Sequence, residues 1–264
     1  MKEKSAKQNI GICKFCGKEK KLIKAHIIPR HFHLNYENET YAAINSKTGN
    51  WKPCKTGTYD KNILCADCDG TIIKRFEDEA YRILLNDIYN FAEYKYNQNI
   101  LYHLTEKDFD YMLFRKFFIS VLWRASISKA EDFSNINLGP YEDIALKILK
   151  GEIEKDNLFK ILIFKFPRNM DNNSIVHLSK IKIKHETYCL CMAGYYIYIF
   201  INEKNIPFDV IKYYGEFFLK KENSYIPESP IFYQKHCEHL STIWVSSGKL
   251  YSYLKKKFDK CGHI

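Results

Sequence analysis

Two Cys-x-x-Cys pairs, Cys13-Lys14-Phe15-Cys16 and Cys65-Ala66-Asp67-Cys68, constrain this chain more than any other feature. Each pair can grip one metal ion from a tight turn, and two pairs complete a tetrahedral four-thiolate site. Such a site is closed, so the Zn2+ it predicts is structural: it pins two remote segments together and does no chemistry. Gly17 follows the first pair directly, where the chain must turn back beneath the metal. Nine cysteines is an odd number, which argues against a closed disulfide framework. In a reducing compartment close pairs read as metal ligands. The opening MKEKSAKQNI lacks the apolar middle of a signal peptide, and no apolar run approaches the roughly 18 residues of a membrane span. The expected location is cytoplasmic, away from the membrane.

The pairs sit in the most punctuated part of the chain. Residues 1–80 hold five of the nine cysteines, and the first 34 residues carry nine Lys/Arg against two acids. Beyond them the pattern changes. Phe76 to Phe91 has helical spacing with acids at its start, where they suit the helix dipole. Thr105 and Asp108 resemble a capping box that opens a helix over 106–127. Pro140 starts another, and Gly151 stops it. Leu158–Phe166, Ile175–Lys184 and Thr187–Ile201 read as strands, with His185-Glu186 as a hairpin turn. A basic helix is expected from about Ser247 to Lys260. The fold class is therefore α+β, in two parts. A small zinc-stapled module occupies 1–95, and a helical plus antiparallel-sheet domain, for recognition or partner docking, occupies 96–264. A composition of 46% hydrophobic and 27% charged residues, with few Gly and Pro, excludes disordered and collagen-like chains. A net charge of +10 favours a polyanionic partner.

A simple zinc ribbon separates its pairs by about 15–20 residues, whereas residues 17–64 make a separation of 48 here. The insert contains Lys24-Ala25-His26-Ile27-Ile28-Pro29, and polar residues stand five before Cys65 (Asp60) and directly after Cys68 (Asp69). In that order of motifs, over about residues 11–80, the chain resembles the HNH endonucleases of the ββα-metal class. The resemblance implies a nuclease that hydrolyses phosphodiester bonds, with DNA as the partner. It assigns His26 as the general base, Asp60 as the residue that orients it, and Asp69 as a ligand of a catalytic Mg2+ or Mn2+. Asn62 takes the place of Asp60 if the register slips by two. Cleavage of this kind needs a base for water and a hard cation for the phosphate oxygens, so the structural and catalytic metals are different ions. Arg30 is a candidate phosphate contact. A bacterial defence or restriction effector is a setting that such a module suits.

One position departs from the pattern. Where the family often has Asp or His just before the base, Ala25 offers no ligand atom. Asp60, Asn62 or Glu77 could stand in, or Asp69 could hold the ion with water and substrate phosphate. The alternative is an inactive zinc module that binds nucleic acid or a protein partner, and a weaker one is a purely structural staple. Other candidates have ordinary readings. His31 and His33 share a face if their segment is extended. Cys54 is unpaired, and Cys189 and Cys191 read as buried thiols in a strand. His236 and His239 could share a helix face, but nothing distant completes a site. Trp123-Arg124 reads as a core helix with a buried charge in preference to a stacking surface. Lys255-Lys256-Lys257 is either a phosphate contact or a solvated tail.

Overall fold

The computed structural model describes residues 9–33, 41–44, 51–54, 57–96, 99–168, 177–181 and 187–231. The expected turn at His185-Glu186, the His236–His239 cluster, the Lys255–Lys257 run and the basic helix after Ser247 lie outside them, as does the side chain of Cys54.

Short antiparallel ribbons build the N-terminal part. β1 (Ile10–Ile12) pairs with β2 (Glu19–Lys21), β3 (Ala25–His26) with β6 (Tyr59–Asp60), and β4 (Tyr41–Ile44) with β5 (Trp51–Cys54). A π-helical turn (Cys68–Ile73), α1 (Lys74–Tyr81) and a second π-helical turn (Arg82–Asp87) follow. The expected helix over 76–91 is thus longer and less regular than its spacing implies. The remainder carries a seven-stranded sheet. In chain order it is built from β7 (Ala92–Tyr96), β8 (Asn99–Thr105), β9 (Leu158–Lys165), β10 (His177–Ile181), β11 (Thr187–Met192), β12 (Tyr195–Asn202) and β13 (Asn223–Glu228). Across the sheet the order is β10-β11-β12-β9-β13-β8-β7. Every pairing is antiparallel except β13 with β9, which is parallel at Glu228–Lys165, so the sheet is mixed where an antiparallel one was expected.

Two further expectations change in detail. The aromatic run from Thr187 onward folds back at Ala193-Gly194, both with left-handed backbone (φ 50 and 79), and so forms two strands where one was expected. The turn lets each arm pair on its other side, β11 with β10 and β12 with β9. The helix expected from 106 starts later, as α2 (Tyr111–Ile127), because Thr105 still belongs to β8. Thr105 donates its backbone N–H and hydroxyl to Asp108 Oδ2, each at 2.7 Å, closing a turn, and Asp110 provides the cap by accepting from Leu113 N at 3.0 Å. α3 (Tyr141–Lys150) has the expected limits, Pro140 before it and Gly151 after it at φ 77.

α2 is apolar nearly all round, and such a helix must be buried on every side. Phe114, Phe117, Phe118, Val121, Leu122 and Trp123 have almost no exposure. The Cys module meets it through Phe15 on Trp123 (ring centroids 5.9 Å apart) and Phe32 on Phe117 (5.1 Å). One hydrophobic core runs from Cys13 to Ile226, and β7 spans position 95. Leu190 joins that core, whereas Cys189 and Cys191 pack on the sheet's other face, which matches the reading of them as buried thiols. No helix among the described residues is long and apolar enough to cross a membrane.

Candidate metal centre and adjoining acid–histidine site

The two Cys pairs converge because the segments that carry them are laddered together. The first pair lies in the β1–β2 turn, where Cys13 N donates to Lys18 O (3.0 Å) and Gly17 N to Cys13 O (2.8 Å), with Gly17 at φ 70. Lys14 N donates to Ile63 O (2.8 Å), Ile23 N donates to Leu64 O (2.9 Å), and Leu22 bridges Cys65. The four Sγ atoms of Cys13, Cys16, Cys65 and Cys68 end within 4.8 Å of one another. Zinc–sulfur bonds of about 2.3 Å place tetrahedral sulfurs roughly 3.8 Å apart, so the cluster fits that ion with little adjustment. Cys65 N donates to Cys13 Sγ at 3.4 Å, a bond that favours a thiolate. Burial and the neighbouring sulfurs push the Cys68 thiol up, and a divalent cation at the centre reverses that preference. Among the described residues these four form the one group of three or more Cys, His, Asp or Glu whose ligand atoms converge this closely.

The β3–β6 ribbon decides where the next residues point. His26 is opposite Tyr59, with rings 6.0 Å apart, and Ala25 is opposite Asp60. Facing residues of an antiparallel pair share a side, so Asp60 projects from the face opposite His26. Its carboxylate accepts from Asn62 N (2.8 Å), Ser128 Oγ (3.0 Å) and Lys129 N (2.9 Å), which anchors the end of α2 to β6. Ala25 is fully buried in the core.

His26 meets the helices through its backbone. Arg124 Nη1 donates to His26 O (2.7 Å) and to Glu77 Oε1 (2.8 Å), while Arg124 Nε donates to Ser120 O (3.3 Å). Arg124 is 1% exposed, as the core reading of Trp123-Arg124 expects. Asp69, half-buried in the first π-helical turn, lies in the field of the same groups: burial raises its carboxyl, Glu77 adds to the rise, and Arg124 opposes it. Asp69 and Glu77 are eight residues apart, about 80° around an α-helix, and are close enough for the Glu77 charge to raise the Asp69 carboxyl. Arg30 is exposed.

His31 and His33 do not lie in an extended segment. Arg30–His33 is a 3-10 turn that separates them, with His31 outside near Tyr81 (rings 5.3 Å apart) and His33 buried. His33 packs over Gly57, where a Cβ would come within 2.6 Å of Nε2. Burial, reinforced by His26, lowers His33 from 6.5 to about 4. The unfolded chain therefore takes up this proton at higher pH than the folded one. Stability should rise with pH between about 4 and 6.5 and be complete above that. The full effect is on the order of 3 kcal/mol. Urea unfolding between pH 5 and 7 measures it, and a His33→Gln variant should show a flatter pH profile. Equal profiles for the two proteins would refute the assignment.

Of the residues singled out in the sequence, the fold brings the four cysteines together and sets Asp69 near Glu77 and Arg124. It turns Asp60 away from His26. The part played by Arg124 had one sequence signal: an arginine in a largely apolar helix must find a buried acceptor. The chain matches no protein-family model, no curated protein and no solved structure.

Proposed function

We propose that this chain is a metal-dependent, HNH-like endonuclease that hydrolyses phosphodiester bonds in DNA, with His26 as general base. The observation that carries the reading is the bridge through Arg124. One buried guanidinium ties the strand bearing His26 to the helix bearing Glu77 and Asp69, directly beyond the four-cysteine staple. Such cleavage requires a general base and oxygen donors for a metal ion, and here the strand that bears the one is tied to the helix that bears the others.

In this reading the His26 imidazole takes the proton from the attacking water. Asp69 and Glu77, oxygen donors close enough for one charge to act on the other, would hold Mg2+ or Mn2+ in place of a ligand at Ala25. When bound, that ion would neutralise charge on the scissile phosphate. Asp60 supports the base indirectly, by holding β6 and hence β3 against the end of α2. Arg30 and the net positive charge would attract the phosphate backbone.

Plasmid nicking by the zinc-loaded chain with added Mg2+ or Mn2+ tests this. His26→Ala should lower the rate by about 100- to 10,000-fold with zinc content unchanged. A second reading, a zinc module that binds without cutting, is favoured by the burial of Ala25 and by the absence of a converging three-ligand oxygen site among the described residues. DNA binding with no nicking under any divalent ion, in folded protein, would establish it in place of the nuclease.

A further inference from the structure

A cleft of about 460 Å³ opens between the start of α1, α2 and the end of α3. Its floor is apolar, with Phe76, Leu113 and Leu149, and Arg75, Lys116 and Lys150 line it with positive charge. No carboxylate lines it. Arg75 stands two residues before Glu77, about 160° around the helix, so the cleft opens away from the side that bears Asp69 and Glu77. Lys116 leans over the floor, with Nζ 5.7 Å from the Phe76 ring centroid. Neither Arg75 nor Lys116 has a carboxylate within 4.0 Å among the described residues, and Lys150 reaches only Glu152, at 3.8 Å. Partial burial lowers Lys116 from its usual value, although Asp110 and Glu154 are near enough to support its charge.

Three cations around an apolar floor match an amphipathic anion. The volume suits one small molecule, since such sites run from about 300 to 1,000 Å³. A duplex backbone is gripped from open positive surface, and an apolar floor adds nothing to phosphate contacts. A flat apolar body would lie against Phe76, Leu113 and Leu149, and its phosphates would meet Arg75 and Lys116 without displacing an internal carboxylate, and Lys150 at the expense of its long contact with Glu152. We propose that this cleft binds a nucleoside phosphate, at a site separate from that of the proposed phosphodiester cleavage.

Calorimetric titration of the full-length His26→Ala chain with ADP, pyrophosphate and a short DNA duplex tests the proposal with cleavage removed. ADP should bind saturably at one site, pyrophosphate about tenfold more weakly for lack of an apolar body, and the duplex should leave ADP binding unchanged. Arg75→Ala and Lys116→Ala, both at the helix surface, should each weaken ADP about tenfold with zinc content and far-UV spectrum intact. The proposal is overturned if ADP does not bind at millimolar concentration, if pyrophosphate binds as tightly, if both variants bind ADP normally, or if the duplex competes. The last result would make the cleft part of a nucleic-acid surface. Nicking by the wild-type chain is judged separately, so either reading can fail alone.

Discussion

Cys65→Ser is expected to remove the bound metal and most of the stability of the protein. Cys65 is the residue at which both segments of the staple meet: its N–H bonds Cys13 Sγ, its neighbour Leu64 accepts from Ile23, and it bridges Leu22. A serine hydroxyl is a poor partner for zinc beside three thiolates. Structural zinc contributes roughly 10–16 kcal/mol of apparent binding energy in small domains, against a net stability of about 5–15 kcal/mol for a whole protein. The cluster is also continuous with the main core, since Phe15 lies between the first two cysteines and packs on Trp123. Loosening the staple therefore exposes the centre of α2. The wild-type protein should contain one zinc per chain. Chelation should lower the thermal midpoint steeply and alter tryptophan fluorescence, and Cys65→Ser should resemble the chelated protein before any chelator is added. Wild-type zinc content and midpoint in the variant would show that the cluster holds no structural metal.

Arg124→Met should cost roughly 3–5 kcal/mol, the range for removing one member of a buried ion pair. The loss is larger than that of one hydrogen bond because the guanidinium serves His26 O, Glu77 and Ser120 O together. Without it a β3 carbonyl loses its helix partner and Glu77, 22% exposed, is left charged at the edge of the core. Urea unfolding of Arg124→Met, Glu77→Gln and the double variant tests this. Glu77→Gln should restore part of the loss in the Arg124→Met background, because it removes the uncompensated charge. Strictly additive effects would show that the pair is not coupled. Under the nuclease reading the same substitution also abolishes nicking, since it frees the base strand from the acidic helix.

Much of the site was legible in the sequence because its rules are local. Two Cys-x-x-Cys pairs predict four converging thiols whatever the insert between them, since a metal site closes over any loop that can return. Pro140 and Gly151 delimit α3 for reasons confined to a turn. Asp60 was not legible in this way. Its spacing from Cys65 suggests a partner for His26, but the direction of a strand side chain depends on register, and pairing Ala25 with Asp60 sends the carboxylate to the far face. His33 was missed as a buried group because the extended reading of Arg30–His33 gave way to a 3-10 turn under Phe117.

By itself, then, the sequence determined which four cysteines come together as a possible metal site, the ends of α3, the aromatic strands and the burial of α2, all set by composition, spacing and periodicity along the chain. The tertiary structure alone decided which face Asp60 takes, that Arg124 joins His26 to Glu77, that one strand run becomes a hairpin, and that a basic cleft lies behind the acidic side of α1. All but the hairpin, which turns locally at Ala193-Gly194, depend on two distant segments meeting. Sequence spacing does not encode that meeting; it follows from how the apolar faces of those distant segments pack against one another.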